Sequence, residues 1–111
     1  MKELTKMEER VLIAVWKLGE NASGVDIGRY LKNATGKSVV YGTLYTSFEQ
    51  LIRKGFISKR FGEPTAVRGG KSKIYFSLTS KGLKALEAAF ENQTAMWEGI
   101  SVETFKKGSF S

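Results

Sequence analysis

The spacing of apolar residues predicts a helix near the start of the chain. Thr5 followed by Glu8 has the sequence of a capping box, which marks a helix start, and Gly19 marks the end. Between them, over residues 6–18, apolar residues recur every three to four positions, so one helical face can pack into a core. The predicted core positions are Met7, Val11, Ala14, Val15 and Leu18.

Two further helices are predicted in the first half of the chain. Ser23, with Asp26 three residues later, caps a shorter helix that the segment NATGK ends. Ser38 is predicted to cap the third helix, which Gly55 ends. Two helices joined by a short turn form the helix-turn-helix pattern.

After the third helix the hydrophobic period changes from 3.6 to 2. The segments FISKRF and KIYFSLT alternate as strands, and GEPTAVRGGKS between them holds the only proline and three glycines. This pattern predicts a β-hairpin with a long basic tip. Three helices followed by such a hairpin have the order of a winged helix-turn-helix domain.

A last helix is predicted from Thr79 or Ser80 onward, with apolar residues at heptad-like spacing. Little of the domain remains to cover them, so a second copy of the chain is the simplest partner. The alternative is that this helix folds back on the first helix of the same chain. Leu12 and Trp16 form a second apolar strip on the first helix and are expected to join the interface. The predicted dimer interface comprises Leu12, Trp16, Leu83, Leu86, Phe90, Trp97 and Ile100.

Composition excludes several functional classes. The chain has 111 residues, enough for one modest core, and contains neither Cys nor His, which excludes disulfides, thiolate or imidazole metal sites and triads built on those residues. Asp26 is the only aspartate and no pair of acids suggests acid–base chemistry, so we expect neither an enzyme nor a cofactor. Without a long apolar run or a leader, the protein is expected to be soluble and cytoplasmic, with no membrane contact.

Positive charge is concentrated in one quarter of the chain. The formal net charge is +7, and between Leu51 and Tyr75 seven basic residues stand against Glu63 alone. A solvated basic surface is one explanation of such a run. Its place beside a helix and a Gly-rich loop favours binding to a polyanion, because counterion release draws a basic stripe to nucleic acid.

The third helix opens with small, hydroxylated and β-branched residues, SVVYGTLYTSF. Such side chains suit a helix that enters the DNA major groove, about 12 Å wide, while its other face is held in the core. Tyr41 is expected to contact DNA and Tyr45 mainly to pack. A glycine at position 42 lowers the stability of the helix by about 1 kcal/mol relative to alanine. Its presence is explained either by close approach to DNA or by tight packing on the second helix. The predicted core anchors are Leu44, Phe48, Leu51 and Ile52.

The expected DNA contacts lie in three short stretches. The turn before the third helix and the helix itself supply phosphate and base contacts, and the wing supplies phosphate or minor-groove contacts. The predicted residues are Lys37, Ser38, Tyr41, Gly42, Thr43, Thr46, Arg68, Gly69, Gly70, Lys71 and Lys73.

The predicted fold is therefore mainly α with a small β-hairpin, a winged helix-turn-helix plus a C-terminal dimerisation helix. We assign residues 1–78 to a DNA-binding domain and residues 79–107 to the dimerisation helix. Residues 108–111 are predicted to form a disordered tail.

Two segments resemble the PadR family of bacterial transcriptional regulators. VVYGTLYTSFEQLIRKGFI carries the Tyr-Gly-Thr-Leu-Tyr of that family's third helix, and RGGKSKIYFSLTSKGLKALE carries the Gly-Gly, Leu-Thr and Lys-Gly of its wing. The resemblance spans about residues 23–86. Val25 departs from the family, which often has a tyrosine there. The short C-terminal region resembles the small subfamily, which has one C-terminal helix.

The resemblance implies a homodimeric, ligand-responsive repressor that binds an inverted-repeat operator in double-stranded DNA. It also implies a flat apolar or aromatic effector between the subunits, with Trp16 and Trp97 as the candidate pocket and plain interface packing as their alternative role. Two other functions stay open at this point. One is a protein-interaction winged helix whose basic wing docks an acidic partner, and the other is a MarR-like regulator.

Overall fold

The computed structural model describes residues 4–62 and 73–106, and it confirms the winged helix-turn-helix order predicted from the sequence. A short 3₁₀ turn, Gly19–Asn21, follows the first helix. The single last helix predicted over residues 79–107 is wrong in its second part, because the fourth helix ends at Trp97, Gly99 turns the backbone with a φ of 81°, and a short fifth helix follows. Within the described residues, no helix is long and apolar enough to cross a membrane. The elements are α1 (Lys6–Leu18), α2 (Gly24–Thr35), α3 (Tyr41–Arg53), β1 (Ile57–Phe61), β2 (Ile74–Leu78), α4 (Ser80–Trp97) and α5 (Val102–Lys106).

Side-chain caps form at the starts of α1, α2 and α4. The Thr5 hydroxyl accepts from the Glu8 N–H at 3.0 Å, and the Glu8 carboxylate accepts from the Thr5 N–H at 2.8 Å, so the predicted capping box is complete. Ser23 caps α2 as predicted, and of the two candidates for α4 the cap is Thr79 rather than Ser80. These contacts are local in sequence, which is why the pattern revealed them.

The predicted start of α3 is wrong. The helix begins at Tyr41, its N-cap is Val40 in an extended conformation, and no side chain caps it, so Ser38 is not the cap. Val39 is half-buried against the core, and this packing together with the preference of β-branched residues for extended backbone delays the helix. The helix ends near Gly55 as predicted, where the backbone turns with a φ of 80°.

The core lies between α1, α2, α3 and β2. Leu44, Phe48 and Leu51 are fully buried, which confirms the predicted anchored face of α3. Leu12 is also fully buried, so its predicted place on an outer strip and in a dimer interface is wrong. The core comprises Val11, Leu12, Ala14, Val15, Ala22, Ile27, Leu31, Leu44, Phe48, Leu51, Phe56, Ile57, Phe76 and Ala85.

The start of α4 is fixed on the corner between α3 and β1. The Thr79 N–H donates to the Phe56 carbonyl at 3.1 Å, and the Thr79 hydroxyl donates to the Gly55 carbonyl at 2.6 Å. Gly82 lies so close to this corner that an ideal Cβ there would be 1.9 Å from the Phe56 oxygen. A glycine is therefore required at the first turn of α4.

The two ends of α4 have different surroundings. Up to Gln93 the helix runs beside α1, where the Gln93 amide donates to the Glu9 carboxylate, so the predicted fold-back onto α1 occurs for this part. From Phe90 to Lys106 every residue is exposed. The Cα radius of gyration is 16.8 Å, against about 13 Å for a compact domain of this length. The end of α4 beyond Gln93 thus projects away from the core.

Candidate nucleic-acid interface

The exposed face of α3 begins at the first turn of the helix. Tyr41, Gly42, Thr43, Tyr45 and Thr46 are all exposed, as predicted, on the side opposite the buried anchors. The helix begins without a side-chain cap, so its first N–H groups point toward solvent at the positive end of the helix dipole. This face offers small polar side chains, two flat rings and an uncapped terminus.

The two tyrosines lie across α2 above two glycines. A Cβ built on Gly24 would lie 2.6 Å from the Tyr45 hydroxyl oxygen, and one built on Gly28 would lie 2.8 Å from that of Tyr41. Tyr45 also packs edge-on against Phe48, with ring centroids 5.0 Å apart. Nearly half of the surface of each tyrosine is exposed to solvent, 47% for Tyr41 and 45% for Tyr45. They are therefore alike in exposure, and the predicted division into a contact and a packing residue does not show in the free chain.

Gly42 and the two threonines form the outermost part of α3. A Cβ built on Gly42 would meet no atom within 4 Å, so the hypothesis that this glycine packs tightly on α2 is wrong. The Thr46 hydroxyl donates to the Gly42 carbonyl at 2.9 Å and keeps its acceptor lone pairs for a ligand. Within the described residues the Thr43 hydroxyl has no hydrogen-bond partner, and it is exposed.

Lys37 and Ser38 lie in the turn between α2 and α3, and both are exposed. The Lys37 N–H donates to the Thr35 hydroxyl at 3.3 Å, which orders the turn and leaves the ammonium group at the surface. Both residues therefore border the first turn of α3, as predicted from the sequence.

Lys73 lies at the base of the hairpin and turns toward α2. Its ammonium is 3.6 Å from the Asp26 carboxylate and 5.7 Å from the centre of the Tyr75 ring. Arg60 stacks on the same ring at 4.7 Å, and its guanidinium donates to the Glu20 carbonyl at 2.9 Å. A hydrogen bond from Ser23 and the nearby cations hold the pKa of Asp26 below its ordinary value. Part of the basic run thus joins the hairpin to the helices.

Another residue of the basic run, Lys54, lies in the interior. Its ammonium is 2.7 Å from the carboxylate of Glu8, and the two side chains are only 14% and 3% exposed. Burial alone would raise the pKa of Glu8, but hydrogen bonds from Lys54 and Thr5 outweigh it and lower the pKa. The pair joins α1 to the C-terminal end of α3. No local pattern indicates this pair, because its partners are 46 residues apart.

The predicted wing-tip contacts, Arg68, Gly69, Gly70 and Lys71, lie outside the described residues.

The chain matches the transcriptional regulator PadR-like family over residues 11–88. It belongs to that family. Membership places the chain among transcriptional regulators rather than enzymes, as the sequence predicted. No match was found among curated proteins.

Solved structures share the fold of this PadR-like chain. H. salinarum RosR is 22% identical, with a TM-score of 0.69 over 96% of this chain and 93% of that one. A regulator from Clostridium thermocellum is 20% identical, with the same TM-score over 93% and 92%. Bacillus subtilis PadR in complex with operator DNA is 26% identical, with a TM-score of 0.66 over 77% of this chain and 46% of that longer one.

A second candidate surface of the PadR-like chain is apolar. Trp16 is 59% exposed and borders a groove with Ile13, Leu83, Leu86 and Phe90. Ile13 was missed from the sequence, although it lies three residues before Trp16 and hence on the same side of α1. The outer strip is therefore Ile13 and Trp16 rather than Leu12 and Trp16.

Trp97 does not share that groove within one chain. It is 56% exposed and packs edge-on against Phe105 of α5, with ring centroids 6.3 Å apart. It borders a separate depression along α4, which Phe90 also lines. The two tryptophans of the predicted effector pocket are therefore not brought together by a single chain.

Proposed function

We propose that this chain is a homodimeric DNA-binding repressor whose α3 helices bind the two half-sites of an inverted-repeat operator. The observation that carries the proposal is the two-sided character of α3. One side is held by Leu44, Phe48 and Leu51, and the other presents Thr43 and Thr46 to solvent. A helix held firmly in this way can place its outer side chains at base edges in the major groove.

The first turn of α3 would lie at the wall of the groove. Its N–H groups lack a side-chain cap and suit a phosphate, while the hydroxyl groups of Thr43, at the end of this turn, and Thr46, in the next turn, suit bases. Gly42 has open space above it, so a sugar-phosphate strand can approach the backbone of α3 closely. These positions support a division of roles, with phosphate contacts at the start of α3 and base contacts further along its exposed face.

The second half of α4 supports the proposal of a homodimer. Phe90 and Trp97 of α4 and Ile100 just beyond its end are 70%, 56% and 43% exposed, and the groove beside Trp16 is open. Burial of one such side chain stabilises an assembly by roughly 1.5–3 kcal/mol, so several on each chain can outweigh the cost of association. Two half-sites about 34–36 Å apart require two α3 helices on one face of the duplex, and a dimer supplies both. In this proposal residues 1–78 bind DNA and residues 79–107 dimerise.

The proposal includes an effector between the subunits. Trp16 and Trp97 lie apart within one chain, but both are exposed on surfaces that a partner chain would cover. A flat aromatic molecule stacked between tryptophans of the two chains would change the spacing of the α3 helices and release DNA. Addition of flat aromatic compounds tests this part of the proposal. If no compound changes the tryptophan fluorescence or the affinity for the operator, the two tryptophans only pack in the interface.

Selection of bound sequences from a pool of random duplexes tests the proposal. We expect an inverted repeat whose half-site centres are one helical turn apart, bound by two chains per duplex in sedimentation. Transcription in vitro from a promoter that contains the selected repeat should fall as the protein is added. A pool that stays random after repeated rounds would contradict DNA recognition and favour docking of the basic surface to a protein.

A further inference from the structure

A cleft between α2 and the turn before α3 is lined by cations and hydroxyl groups. Its volume is about 290 Å³, at the lower limit of sites for drug-sized ligands, about 300–1,000 Å³. Arg29 and Lys32 supply the cations, and Ser38 and Tyr41 supply the hydroxyl groups. The sequence singled out the last two residues as DNA contacts, but not the two cations of α2.

The cleft exists because α2 and α3 approach closely at Gly28. The Tyr41 ring lies over this glycine, where a Cβ would be 2.8 Å from the tyrosine hydroxyl oxygen. Ser38 is free to line the cleft because α3 starts at Tyr41, and the serine therefore does not cap the helix.

The polar groups of the cleft suit a ligand that only accepts hydrogen bonds. Within the described residues, Lys32, Ser38 and Tyr41 have no side-chain hydrogen-bond partner. Arg29 is partly neutralised by Asp26, with 3.3 Å between guanidinium nitrogen and carboxylate oxygen, but its side chain is 66% exposed and it has further donors. Ammonium, guanidinium and hydroxyl donors match the non-bridging oxygens of a phosphate group.

We propose that this cleft binds one phosphodiester of the DNA strand beside the groove that α3 enters. The assignment rests on the proposed function, because the cleft lies at the first turn of α3, next to its exposed face. Lys32 and Arg29 neutralise the phosphate, and Ser38 and Tyr41 orient it. The contact sets the depth of α3 in the groove in the same way for every base sequence.

Two variants with equal loss of charge test the site. Lys32→Gln removes a cleft cation, and Lys84→Gln removes an exposed cation from α4, away from the cleft. With a selected operator, we expect the slope of log affinity against log salt to become shallower by about two in Lys32→Gln, one for each half-site of the dimer, with about a sixtyfold weaker affinity at 0.1 M salt. Lys84→Gln should change neither quantity, and both variants should melt at the wild-type temperature.

Neutral methylphosphonate linkages, placed one at a time in the operator, locate the contact. One linkage in each half-site should weaken binding of the wild-type chain and weaken Lys32→Gln clearly less, because only Arg29 and the hydroxyl groups remain on that phosphate. Equal slopes for the two variants, or additive losses at every linkage, would overturn the site while leaving DNA binding intact. If the wild-type chain binds no duplex, the site and the proposed function fail together.

A titration with inorganic phosphate, observed by amide NMR shifts, distinguishes the source of the phosphate. Saturable shifts around Lys32 at submillimolar inorganic phosphate, absent in Lys32→Gln, would assign the cleft to a free phosphate and overturn the DNA assignment. Only weak, unsaturated shifts are expected with inorganic phosphate. A phosphodiester of DNA is kept in the cleft by the contacts of neighbouring parts of the strand, and free phosphate lacks them.

Discussion

Replacement of Gly82 by Ala should destabilise the fold strongly, because the residue lies against backbone. An ideal Cβ would be 1.9 Å from the Phe56 carbonyl oxygen and 2.8 Å from its carbon, whereas ordinary contacts begin at 3.4 Å. The first turn of α4 and the Phe56 corner would therefore have to separate by about 1.5 Å. Neither can give way easily, since both are main chain.

The separation breaks the contacts that hold α4 on the corner. Thr79 makes two hydrogen bonds there, to the carbonyl groups of Phe56 and Gly55. Loss of both costs about 1–3 kcal/mol, and overpacking strain adds about 1–3 kcal/mol. Alanine recovers at most about 1 kcal/mol through its higher helix propensity. The expected net loss of about 1–6 kcal/mol is large beside a typical total stability of about 5–15 kcal/mol.

Urea unfolding, monitored by circular dichroism, measures this loss of stability. The chain concentration must be the same for all variants, because the stability of a protein that assembles depends on its concentration. Gly42→Ala is the matched control, since its Cβ would meet no atom within 4 Å, and it should gain up to about 1 kcal/mol. If the stability of Gly82→Ala lies within about 0.5 kcal/mol of wild type, the Phe56 corner accommodates a Cβ and the expected clash is absent. A clear loss in Gly42→Ala would likewise contradict the open space above that residue.

Substitutions at three other positions test the exposed face of α3, the apolar stripe of α4 and the buried ion pair. Gly42→Ala should bind operator more weakly although it is more stable, and unchanged affinity in a gel-shift titration would remove close DNA approach as the reason for this glycine. Phe90→Asp should sediment as a monomer with wild-type helix content, whereas Lys84→Asp should stay dimeric; a dimeric Phe90→Asp chain would exclude this stripe from the interface. Because the pKa of Glu8 is lowered, its stabilising effect is complete above its ordinary value of 4.5 and is lost as pH falls through the lower folded-state value. Urea unfolding from pH 6 to pH 3 should show a shallower decline in Glu8→Gln, and identical slopes would contradict the ionised pair with Lys54.

Local patterns predicted much of the fold. The capping pairs Thr5 with Glu8 and Ser23 with Asp26 are three residues apart, so the sequence alone identified the starts of α1 and α2. The start of α3 was misplaced because the packing of Val39 against the core is a tertiary contact that no local pattern reports.

Contacts between distant residues account for the other differences at the candidate site. Leu12 and Ile13 are adjacent apolar residues, and only the packing of α1 decides which one is buried. The basic run suggested a continuous nucleic-acid surface, but Lys54 pairs with Glu8 in the interior and Lys73 with Asp26 at the hairpin base. Composition indicated the sign of the surface charge, while the fold determined which cations remain at the surface.

Recognition of bases by the outer face of α3 can be measured by selection of bound duplexes with α3 variants. Duplexes selected by Thr46→Ala should differ from those selected by wild type at one symmetric position in each half-site, a preference change of about 1–3 kcal/mol. Glu49→Gln, an exposed change further along α3, should select the wild-type sequence. Base recognition by this face is contradicted if Thr46→Ala and Thr43→Ala both select the wild-type operator unchanged.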